Sequence, residues 1–151
     1  MRYDPIEPQL FAKNRNNFLC KMENNSIAIF HSNDLMPKNA DQVMKFKQNS
    51  DLFYLSGIDQ EETVLVIVKK VDKYEELLFL RETNETIKIW EGEKLTKENA
   101  TNVSGVKRVI WNKEFKNSIS KLVDTASTIY LNSNEHPRAN IVVESRDARF
   151  K

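Results

Sequence analysis

The 151-residue chain carries 23 Lys and Arg against 22 Asp and Glu, a formal net charge of +1, with 40% hydrophobic and 30% charged residues. That composition fits one ordinary globular domain, and the interleaving of both signs argues against the one-signed basic face of a nucleic-acid binder. A single cysteine excludes an internal disulfide and a multi-cysteine metal site, and three glycines leave little material for a phosphate-cradling loop.

Residues 7–22 place Phe11, Phe18, Leu19 and Met22 at helical spacing, with Arg15 on the same face and Pro8 suited to a first turn. Arg15 is expected to lay its stem on the core and send its guanidinium to water, with a buried ion pair as the alternative. Cys20 is expected to be a buried, inert thiol. Residues 26–30 read as a buried strand, and residues 33–39, with Pro37, as a loop. Residues 50–55 predict a short helix, with Asn49 or Ser50 as N-cap and Gly57 as its stop.

Residues 63–68 are all β-branched or leucine, which predicts a strand covered on both faces. The apolar run within 76–82 follows a polar connection too short for a helical crossover, so the two should pair as an antiparallel hairpin. Residues 84–90, 96–103 and 114–125 read as helices; Thr96 caps the second, Gly105 stops it, and Asn112 is a cap candidate for the third. Strands at 106–111 and 127–131 flank that last helix, which predicts a β-α-β unit with a parallel pair. The expected fold class is α/β, a mixed β-sheet flanked by helices on both faces. Met1 to Pro5 lack the apolar run of a signal peptide, and the longest apolar run, Val64 to Val68, is too short to cross a bilayer. A cytoplasmic protein with no membrane partner and no nucleic-acid partner is expected.

Self-contained catalysis finds little support. There is no His-Glu-x-x-His, no EF-hand spacing and no Gly-x-Ser-x-Gly elbow. The two histidines are His31, at the end of an apolar strand, and His136, before Pro137 in a polar stretch. Two segments stand out. Asn39-Ala40-Asp41 followed by residues 46–57 gathers amides, carboxylates and aromatics; its residues favour a polar loop, with Phe53, Tyr54 and Leu55 supplying core and Ser50 and Asp51 the cap. In Ile89-Trp90-Glu91-Gly92 the indole is either a core group or a protruding contact anchor.

Asp41, then Lys47-Gln48-Asn49-Ser50-Asp51, Phe53-Tyr54-Leu55-Ser56-Gly57, the strand at 63–68 and Ile89-Trp90-Glu91-Gly92 together resemble the N-terminal domain of aminopeptidase P. That family is the Xaa-Pro aminopeptidase branch of the creatinase/prolidase superfamily, and the likeness runs from Arg15 to about Leu131. Lys47 departs from the arginine more usual there, which keeps the charge and loses the planar fork.

The resemblance implies a creatinase-like N-terminal domain over residues 1–135 and a tail at 136–151 leading toward a catalytic domain that the chain lacks. In the family that second domain holds two Mn²⁺ ions and removes an N-terminal residue preceding proline. The chain itself is therefore expected to bind no cofactor, hold no catalytic residue and be inactive alone. The resemblance further implies a homo-oligomer in which Asp41 and Trp90 line the active site of a neighbouring subunit, acting on a peptide with proline in second position. The alternatives are the N-domain of a prolidase and a stand-alone, non-enzymatic interaction module.

Overall fold

Proline in the first turn and a run free of β-branched residues produce the first helix, α1 (Pro8–Lys21), in the computed structural model, which describes residues 6–132. The chain continues through β1 (Ser26–His31), α2 (Ser50–Ser56), β2 (Val64–Lys69), β3 (Tyr74–Leu80), α3 (Glu85–Glu91) and α4 (Lys97–Ser104). After β4 (Arg108–Trp111) a 3₁₀ turn, Asn112–Glu114, leads into α5 (Phe115–Val123) and then β5 (Thr128–Leu131).

The strands form one five-stranded sheet in the order β4-β3-β2-β1-β5. β2 and β3 make the expected antiparallel hairpin, with Val64 opposite Phe79 and Lys69 opposite Tyr74. β2 is the central strand, and its alternate residues enter two separate cores. Leu65 and Ile67 join Leu19, Met22, Phe30, Leu52, Leu55 and Leu78 beneath α1, α2 and α4. Val64, Val66 and Val68 join Ile27, Ile29, Leu77 and Phe79 on the other face, where α5 lays Phe115, Ile119, Leu122 and Val123. The continuous apolar run of β2 is the direct consequence of helices on both sides.

Three expectations need correction. β4 and β5 run in the same direction, yet they do not pair with each other: β4 pairs parallel with β3, and β5 pairs parallel with β1. The three central strands already bond to one another, so both late strands add at opposite edges and α5 crosses between them. Asn112 does not cap α5; its amide donates to the Glu62 carbonyl at 3.1 Å. Cys20 is exposed, because it falls beside the buried Leu19 on the outer side of α1.

Arg15 is a fourth correction. Its side chain is 1% exposed and Nε lies 3.0 Å from Glu76 Oε1 on β3, so the buried ion pair replaces the expected solvated head. Nη1 donates to the Leu55 carbonyl at 2.8 Å and to the Ser104 carbonyl at 2.9 Å, at the C-terminal ends of α2 and α4. Those carbonyls have no intrahelical donors, and the helix dipole favours a cation there.

Candidate functional site

The two residues singled out by their pattern sit on two separate excursions from the sheet. Asp41 is exposed in the tight turn of a small hairpin, where Pro37 bridges Val43 and Met44 N donates to Met36 O at 2.8 Å. Lys38 N donates to Gln42 O and Gln42 N to Asn39 O, both at 2.9 Å, and Ala40 takes a φ of 49° to close the turn. Met36, Val43 and Met44 on this hairpin are all exposed.

Trp90 lies in the last turn of α3, and its side chain falls outside the described residues. The helix is capped by Asn84, whose side chain accepts from Ile87 N at 2.8 Å. Ile89 beside Trp90 is 77% exposed, so this short helix keeps an apolar group in solvent. The tail at 136–151, with His136, lies outside the described residues as well.

The segment from Gln48 to Gly57, which carries much of the family likeness, is architectural. Asn49 is the N-cap of α2, accepting from Asp51 N at 2.9 Å and Leu52 N at 3.3 Å. Gly57 ends the helix at a φ of 69°, and its backbone N–H donates to Phe53 O. Leu52 and Leu55 enter the core, whereas Tyr54 is exposed and Phe53 half-buried. An apolar hollow of about 670 Å³ borders this segment, lined by Ile6, Leu10, Phe11, Phe53 and Tyr54 among others; Asp41 is not part of it.

The bases of both excursions meet the turn between α2 and β2. Gln48 is buried; its amide donates to Ile58 O at 3.1 Å and Gln60 O at 2.9 Å, and its carbonyl accepts from Asn33 N and Asn49 N. The side chain of Gln60 ties the other excursion, its Oε1 accepting from Leu95 N at 2.7 Å. Glu61 is hydrogen-bonded and ion-paired by Lys94, and Arg81 Nη1 approaches the same oxygen at 3.4 Å. Burial alone would raise the Glu61 carboxyl. The hydrogen bond from Lys94, a bond from its own backbone and the charges of Lys94 and Arg81 outweigh it and hold the pKa below its ordinary value. Gln60, Glu61, Arg81 and Lys94 were not singled out from the sequence; Gln60-Glu61-Glu62 ahead of an apolar run reads simply as a polar turn.

Among the described residues no three His, Cys, Asp or Glu side chains converge as metal ligands. His31 stands edge-on to Phe115 at 6.0 Å; desolvation lowers its pKa and the charge of Asp34 only partly offsets that. No helix among the described residues is long and apolar enough to cross a membrane.

A mixed five-stranded sheet with helices on both faces and two excursions leaving it defines a domain of the aminopeptidase P N-terminal type. The sequence model of the aminopeptidase P N-terminal domain matches residues 11–130, and the chain belongs to that family. It is 28% identical to the Xaa-Pro aminopeptidase of Escherichia coli over 141 residues, 93% of this chain and 32% of the relative. It is 23% identical to the Xaa-Pro aminopeptidase of Haemophilus influenzae over 140 residues, 93% of this chain and 33% of that one. The chain thus spans about a third of the length of these relatives. The low-pH structure of Escherichia coli aminopeptidase P superposes with a TM-score of 0.80 at 28% identity, covering 91% of this chain and 31% of the other. A Bacillus anthracis structure shares the fold with a TM-score of 0.85 at 24% identity, over 96% of this chain and 35% of that one.

Proposed function

We propose that this chain acts as the non-catalytic N-terminal domain of a cytoplasmic, manganese-dependent Xaa-Pro aminopeptidase, which removes an N-terminal residue preceding proline. In this reading the domain serves homo-oligomer assembly and presents Asp41 and Trp90 toward the active site of a neighbouring subunit. The observation that carries it is the Asp41 hairpin: a carboxylate exposed at a tight turn beside the exposed Met36, Val43 and Met44. Such a surface has polar and apolar groups available to something outside its own domain. Family membership and the two Xaa-Pro aminopeptidase relatives support the substrate class.

The two residues have distinct chemical parts. A carboxylate attracts the free ammonium terminus of a peptide through a charge-assisted hydrogen bond. An indole covers an apolar substrate face and excludes water. In this reading the two Mn²⁺ ions are held by the catalytic domain of the longer protein. The test is kinetic, in the longer protein that contains this domain. Asp41→Ala should lower kcat/KM about tenfold or more, the scale of one lost charged hydrogen bond, and Trp90→Ala should lower it through lost apolar contact, both with manganese content unchanged. Unchanged kinetics in both variants would overturn the reading.

A further inference from the structure

Both excursions, although separated by the whole of β2 and β3, close on a single turn, residues 58–63, in which Ile58, Gln60, Glu61 and Thr63 are buried. The loop that carries Asp41 leaves at Asn33 and returns at Lys47 and Gln48. Asn33 Nδ2 donates to Lys47 O at 3.0 Å, Asn33 N reaches Gln48 Oε1 at 3.4 Å, and Gln48 Nε2 fixes that closure to the carbonyls of Ile58 and Gln60. The segment that carries α3 leaves at Arg81 and returns at Lys94 and Leu95. Arg81 and Lys94, thirteen positions apart in the chain, meet on Glu61, and Leu95 N meets Gln60. Gln60 is 5% exposed and Glu61 6%, while Lys94 and Arg81 are 13% and 20% exposed, so these contacts are partly shielded from water and salt.

We infer that Glu61, with Gln48 and Gln60, is a positioning anchor: one turn closes both excursions at their bases and fixes the α3 segment relative to the Asp41 loop. α3 needs such a device. It has seven residues, too few to hold itself by helix propagation, and Ile89 on it finds no core. Its orientation must come from where its ends are tied. One carboxylate receiving a cation from each end closes the segment with a single group, and Gln60 adds a backbone bond at the return. Thr63 Oγ1 in turn bonds the Glu61 carbonyl at 3.3 Å, and Thr63 N and O both bond Ser32, so the turn is stitched to the end of β1 as well. The consequence for catalysis rests on the role proposed for Asp41 and Trp90.

Amide hydrogen exchange on the 151-residue chain tests the anchor without reference to catalysis. Glu61→Gln, which keeps the shape and removes the charge, should speed exchange at residues 85–92 about tenfold or more, while the β1, β2 and β3 amides stay protected. Lys94→Met should do the same and Lys94→Arg should not, because Arg restores a cation at that distance. Gln48→Ala should speed exchange across 36–44. Unchanged exchange at 85–92 in Glu61→Gln overturns the inference. An equal rise across the central strands also overturns it, since Glu61 would then be supporting the whole fold. In the longer protein, Glu61→Gln should lower kcat/KM in the wild-type background and have no further effect in Trp90→Ala. Faster exchange at 85–92 with unaltered kinetics would uphold the anchor and remove the role proposed for Trp90.

Discussion

Arg15 on α1 and Glu76 on β3 form an ion pair across the larger core, Nε to Oε1 3.0 Å, with the arginine 1% exposed and the glutamate 15%. The guanidinium also takes the Leu55 and Ser104 carbonyls, so three elements depend on one cation. Arg15→Ala should cost about 3–5 kcal/mol, the usual result of stripping one partner from a buried pair. Arg15→Met keeps the stem's packing and should cost less. The urea midpoint reads both, and a midpoint for Arg15→Ala close to that of the unmodified chain would mean that water replaces the guanidinium.

Gly57 and Gly105 both end helices at positive φ, 69° and 73°, but only one of them is crowded. A Cβ at Gly57 would stand 2.3 Å from Phe11 Cε2 and 2.5 Å from Cζ, and Phe11 is buried. At Gly105 the nearest atoms are 3.7 Å away. Gly105→Ala should therefore cost only the left-handed backbone term, about 1–2 kcal/mol. Gly57→Ala should add an overpacking cost of about 1–3 kcal/mol. Equal losses in thermal unfolding would show that the Phe11 ring moves aside, and Phe11→Leu should narrow the gap between the two variants.

Local features were legible in the sequence because local chemistry fixes them. Asn49 and Gly57 bracket α2, and Thr96 and Gly105 bracket α4. The β2 run announced a strand with two covered faces. What stayed hidden depends on partners distant in the chain. Nothing near Arg15 reveals that Leu55 and Ser104, forty and eighty-nine positions away, bring their carbonyls to it. The edge placement of β4 and β5 depends on β1, β2 and β3 filling the centre first. Asp41 and Trp90 were reached through resemblance, whereas Glu61 owes its importance to Arg81 and Lys94, which no spacing rule connects.

Glu61 also sets a pH dependence. Its folded pKa lies below the ordinary 4.5, so the folded chain binds fewer protons there than the unfolded chain. Its contribution is fully present above the unfolded value and is lost as pH falls through the lowered folded one. Glu61→Gln has no such proton to bind. The stability gap between the unmodified chain and Glu61→Gln should be widest near neutrality and should close in acid, with Arg81, Lys94 and Glu62 the charged groups around the site. Urea titrations of both proteins across the acidic range measure it. A gap that stays constant with pH would mean that Glu61 acts through shape rather than charge.

The hairpin around Asp41 offers the clearest separation between folding and assembly. Met36, Val43 and Met44 are 61%, 51% and 55% exposed, so replacing them removes almost nothing from either core. Met36→Ser, Val43→Thr and Met44→Ser should each change the folding free energy of the chain by less than about 0.5 kcal/mol, the usual range for surface sites. If the hairpin meets a neighbouring subunit, as proposed, the same three changes expose polar groups where apolar contact is needed. The triple variant of the longer protein should then shift toward smaller species in light scattering, while its urea midpoint stays in place. An unaltered mass would remove the hairpin from the assembly surface. A fallen midpoint with an altered mass would instead mark these side chains as part of the fold, and their exposure argues against that outcome.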